Sequence, residues 1–119
     1  MRVTTQLGPY TVGEVPPPLV YQYLDNEGAL VPINDFLGAF VLLKPDATEG
    51  AEERDVEVDE ETSSLTYTWQ IDDMDAAGTG AGQFWVGSTD GLRKYASEDY
   101  EWDIVDGVGG EVPDFGPAS

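Results

Sequence analysis

Proline and glycine recur along this chain at intervals of about ten residues, and between them no stretch carries the three-to-four spacing of apolar positions that a helix needs. Gly13 and the run Pro16, Pro17, Pro18 close the first twenty residues to helix outright, because proline lacks the donor and clashes with the preceding turn. What remains is a set of short segments with strand character. LVYQYL (19–24) places Leu19, Tyr21 and Tyr23 on one face and ends in the turn Asp25-Asn26-Glu27-Gly28. ALVPI (29–33) reads as an edge strand limited by Pro32. FLGAFVLL (36–43) is nearly continuous apolar, as expected of a strand buried on both sides.

The acidic stretch 49–61 holds a short exposed strand around Val56 and Val58. LTYTW (65–69) alternates cleanly, QFWV (83–86) follows an acidic bend, and Thr89-Asp90-Gly91 is a hairpin turn leading to 92–95. YEWDIV (100–105) sets Tyr100, Trp102 and Ile104 against acids on the other face. Seven or eight short strands without a helix make an all-β, immunoglobulin-like antiparallel sandwich. Its span is 10–105, after a lead segment at 1–9 and before an acidic Gly/Pro-rich tail at 106–119.

Charge narrows the function. The chain has 119 residues, 24 Asp and Glu against 5 Lys and Arg, and a formal net charge of -19. Phosphate binding needs clustered cations, so nucleic acid is not expected as a partner. The N-terminal residues lack the apolar core of a signal peptide and no run is long enough to cross a bilayer, so no membrane association is expected. With neither Cys nor His there is no thiol nucleophile, no sulfur metal site and no imidazole base. Such an acid-rich, Lys-poor surface suits a halophile as well as a high-GC mesophile; a melting midpoint that rises between low and molar salt is the expected mark of the former.

The segment SLTYTWQIDDMDAAGTGAGQFWV (64–86) is where chemistry would be sought. Asp73 and Asp75 occupy the first and third positions of a calcium-loop pattern, with Gly78 sixth. The fifth is Ala77 and the twelfth Phe84, so the bidentate carboxylate is missing. That leaves Asp73 and Asp75 as a weak cation pair at best, and a capped turn as the better reading. The glycines of 78–82 lack the lysine and following helix of a phosphate loop and read as a flexible turn. Catalytic residues, a cofactor and a resident metal are not expected. Phe84 and Trp85 are adjacent and face opposite sheet surfaces, which makes Trp85 the foremost interface candidate. Trp69 and Tyr95 join it, and Phe115 is a possible docking plug in the tail.

The order of these signals resembles the immunoglobulin-like N-terminal domain of tailed-phage upper baseplate proteins and related small virion proteins. The likeness rests on VPINDFLGAFVLLKPD, LTYTW, the Asp-rich bend and GAGQFWV with its TDG turn. It implies a non-enzymatic structural virion protein of a tailed phage or archaeal virus. Its partners would be capsid, neck, tail or baseplate subunits, engaged in many copies on a symmetric lattice. A carbohydrate-binding or host-surface adhesion module using exposed aromatics is the alternative.

Overall fold

A computed structural model describes residues 4–48 and 50–107. Nine strands follow one another in the order β1 (Thr4–Thr11), β2 (Leu19–Gln22), β3 (Phe36–Leu43), β4 (Glu52–Asp55), β5 (Glu57–Asp59), β6 (Ser64–Tyr67), β7 (Gly78–Ser88), β8 (Lys94–Ala96) and β9 (Asp99–Val105). No helix occurs among the described residues. The larger sheet runs β1-β9-β7-β3-β4, with β8 attached to β7, and the smaller runs β2-β6-β5. The all-β sandwich expected from the sequence is the fold observed. Its pairings are antiparallel except one, β1 with β9, which are parallel.

Several boundaries differ from the reading above. Of the lead segment expected at 1–9, the described residues 4–9 belong to the sandwich as part of β1; Thr5 and Leu7 pair with Tyr100 and Trp102. Residues 29–33 form no strand, only a single bridge between Leu24 and Leu30, because Pro32 cannot donate to a ladder. The acidic stretch holds two strands rather than one: β4 pairs with β3 in the larger sheet, β5 with β6 in the smaller, and Val56 alone joins them. The tail beyond 107 lies outside the described residues.

The largest difference is at 78–82, which is no flexible turn but the first half of the central strand β7. The glycines are there for space. A Cβ on Gly82 would stand 2.3 Å from Phe40 Cζ, and one on Gly80 2.3 Å from Trp102 Nε1. Both are distances no real Cβ tolerates, so the rings lie directly on the backbone.

Phe40 is the hub of the core. It stacks on Tyr67 at 4.6 Å between ring centroids, tilts against Phe84 at 4.7 Å, and reaches Trp69 and Trp102 at 6.1 and 6.5 Å. Leu42, Leu65, Val86, Met74 and Ile104 fill the space around these rings. Such aromatic pairs add about 0.5–1.5 kcal/mol each beyond the area they bury.

Burial has a consequence for pH. It is the leading cause that pushes the phenols of Tyr23, Tyr67 and Tyr100 well above the usual 10.0, with nearby charges adding to it. The unfolded chain releases these protons from about pH 10 upward while the folded chain keeps them. Stability is therefore whole below about pH 10 and falls above it. Phenolate absorbance from these three groups should appear only together with loss of near-ultraviolet circular dichroism. Their titration near the ordinary value with the fold intact would contradict the burial argument.

Candidate functional site on the outer face of the larger sheet

The bend at 70–75 is a core fastening. Asp73 is buried, and its Oδ2 accepts hydrogen bonds from Tyr67 Oη at 2.5 Å and from the Gln70 backbone N–H at 2.8 Å. Its Oδ1 lies 3.1 Å from Arg54 Nη1, an ion pair without hydrogen-bond alignment. Arg54 points inward from β4 and is also held by Glu52 Oε2 at 2.7 Å. Asp75 is paired with Lys44 at 2.8 Å. Asp73 and Asp75 are therefore not a cation pair: each already faces a cationic side chain, and they point into different neighbours. Among the described residues no three carboxylates converge in a way that could hold a metal ion.

The expected interface aromatics separate in the same way. Trp69 is 4 % exposed and packs edge-on to Trp102 at 5.1 Å, so it is core and not interface. Its position just past β6 lets the ring turn inward over the end of the sandwich. Tyr95 is half-buried, stacked on Phe36 at 5.9 Å, and its carbonyl accepts a hydrogen bond from Tyr23 Oη; it closes the sandwich instead of presenting a surface. Phe115 lies outside the described residues. Trp85 differs from these: it is 39 % exposed on the outer face of β7, where its Nε1 donates to Gln83 Oε1 at 2.9 Å. That bond fixes the ring, so its use in binding would lose little side-chain freedom.

Around Trp85 the strand registers assemble a surface that the sequence did not reveal. Residues 36–43 are not buried on both sides. Phe36, Phe40 and Leu42 face inward, while Leu37 is 71 % exposed, Leu43 is 42 % exposed, and Ala39 and Val41 between them are half-exposed. Pairing sets Ala39 beside Trp85, Val41 beside Gln83, Leu43 beside Ala81 and Leu37 beside Gly87. The two central strands thus carry a neutral, largely apolar stripe in solvent.

The flanking strands are acidic. On the β4 side Asp55 lies beside Ala39 and Glu53 beside Val41. On the β9 side Glu101 lies beside Ala81 and Asp103 beside Thr79, with Asp99 on the same face. Lys94, beside Gly87, is the one cation that the pairings bring to this face among the described residues. Shallow hollows run along the stripe between Leu37, Val41, Glu53, Trp85 and Lys94, and between Leu43, Gln83 and Glu101. A signal for this face was present: in a two-layer sandwich each strand has a side that nothing from its own chain covers, so an unbroken apolar strand must show one row to solvent.

No protein-family model matches the chain, and no curated protein matches it. Among solved structures it is similar to CopC from Methylosinus trichosporium OB3b, with a TM-score of 0.47, 16 % identity, and coverage of 81 % of this chain and 82 % of that one. The virion role expected from the sequence is withdrawn: the solved structure found here is CopC and not a virion protein.

Proposed function

We propose that this chain is a non-catalytic protein-recognition domain whose binding surface is the outer face of β3 and β7, and that its partner is a protein with a cationic rim around an apolar centre. The observation that carries this is the apolar stripe Leu37, Ala39, Val41, Leu43 and Trp85, uncovered by any of the described residues in a chain of net charge -19. Contiguous exposed apolar surface rimmed by polar groups is characteristic of interaction sites. Charge selects the partner. A second copy of the chain would set Glu53, Asp55 and Glu101 against their own kind, and like charges across an interface cost several kcal/mol. A basic partner turns the same carboxylates into attraction and faster encounter.

Site-specific photocrosslinking tests this in the cells that make the chain, with a photoreactive residue at Leu37 and, as control, at Val20, which is exposed on the smaller sheet. A discrete adduct from position 37 alone, lost when Val41→Glu is added, with a crosslinked segment that mass spectrometry shows to be rich in Lys or Arg, is the expected result. Adducts of the chain with itself, an acidic or neutral segment, or equal yield from both positions would each overturn it.

A further inference from the structure

We infer that the element this face receives is a single amphipathic α-helix of about four turns with basic residues on both flanks of its apolar stripe, an inference that rests on the protein-recognition reading above. The width of the surface decides its form. Strands in a sheet stand about 4.8 Å apart, so the carboxylates of β4 and β9, separated by β3 and β7, form rows about 14 Å apart. A helix with its side chains is about 10–12 Å across, which fills the space between those rows and no more. A second sheet laid on this face would instead cover Glu53 and Glu101 with apolar side chains and bury their charge uncompensated.

Length fits the same element. Leu37 to Leu43 spans six residue steps of strand, about 20 Å, which at about 1.5 Å per residue is the length of some 13–14 helical residues. Lysine and arginine at the edges of a helix's apolar stripe extend long stems outward along the surface, and those stems would end over Glu53 and Asp55 on the β4 side and over Glu101 on the β9 side beside Leu43, while at the Leu37 end β7 is flanked by β8 and Lys94. The Trp85 ring, fixed by Gln83, is the rigid centre against which the stripe packs. Acidity on both rims at the Leu43 end calls for basic residues on both flanks of the helix there, and on the β4 flank along Val41 and Ala39.

The test uses the intact chain and three synthetic peptides of about 16 residues, long enough to cover the stripe. The first is a helix former with a Leu/Ala stripe and Lys on both flanks, the second a scramble of the same composition without a stripe, and the third keeps the stripe but has Glu on one flank. Calorimetry should show the first binding at least about tenfold tighter than either other. Circular dichroism should show it gaining helix on binding, and amide shift changes should be confined to β3, β7 and their neighbours. Leu37→Ser with Leu43→Ser, both exposed positions, should weaken it about tenfold. Glu53→Gln with Glu101→Gln should weaken it about fivefold and flatten its salt dependence.

Equal binding of the first two peptides would reduce the effect to bulk charge and overturn the inference, as would shift changes centred on Glu57, Asp59 and Glu60, or no binding by the first peptide. A crosslinked native segment that is basic but extended would also overturn it, while leaving the protein-recognition reading intact.

Discussion

Asp73→Ala is expected to lower the stability of this domain by about 3 kcal/mol, the low end of what breaking a buried ion pair costs. The substitution removes three partners at once. Tyr67 Oη loses its acceptor, the Gln70 backbone N–H loses its own, and the Arg54 guanidinium loses its buried counter-charge. The low end applies because the Arg54 side chain keeps 12 % exposure and its second partner, Glu52. Asp73→Asn keeps an oxygen for Tyr67 and Gln70 and should lose about half as much, since it removes the charge but not the acceptors. Adding Arg54→Met to Asp73→Ala should recover part of the loss, because the uncompensated guanidinium goes with it. Urea unfolding of the three variants reads this directly. A loss below about 1 kcal/mol for Asp73→Ala would show that the cluster is not a fastening.

Gly82→Ala comes next, with an expected loss of about 3 kcal/mol, the upper part of the range for forcing extra atoms into a packed core. The inserted methyl has nowhere to go. Phe40 Cζ and both Cε atoms lie within 3.0 Å of its position, and the Phe40 ring is itself wedged by Tyr67 and Phe84. Because β7 is hydrogen-bonded to β3 on one side and β9 on the other, the strand cannot retreat either. Gly87→Ala is the internal control. There the nearest atom to a new Cβ, Lys94 Cγ, is at an ordinary 3.6 Å, so the change should be neutral or slightly stabilising. Phe40→Leu should make Gly82→Ala less costly than it is in the parent, a coupling that thermal melts of the four-member cycle will measure. Independent, additive losses would mean the two residues do not share one space.

These residues also mark how far the sequence could be read. Alternation placed Tyr100, Trp102 and Ile104 on one face, and Leu19, Tyr21 and Tyr23 on another, because a period of two is visible without knowing any partner. The start of β7 was hidden because glycine ordinarily signals freedom, and here it signals room for a ring supplied by a strand about forty residues away in sequence. The cap that Asp73 forms on the Gln70 backbone N–H was legible because it is local; its ion pair with Arg54, inside the acidic stretch, was not, having no local spacing to it. The exposed apolar face was hidden for a related reason. The apolar run at 36–43 says how much oil is present, and only the sheet order says that one row of it has none of the described residues above it.

The parallel pairing of β1 with β9 has a mechanical corollary. The chain enters that ladder at Thr4, opposite Asp99, and leaves it at Val105, opposite Thr11. Tension applied at those two ends pulls the strands lengthwise past one another, so the cross-strand bonds share the force and yield as a group. Tension across the ladder would instead peel them apart singly. Strung in series under stretch, such a domain would resist extension along its long direction far better than a hairpin of equal size.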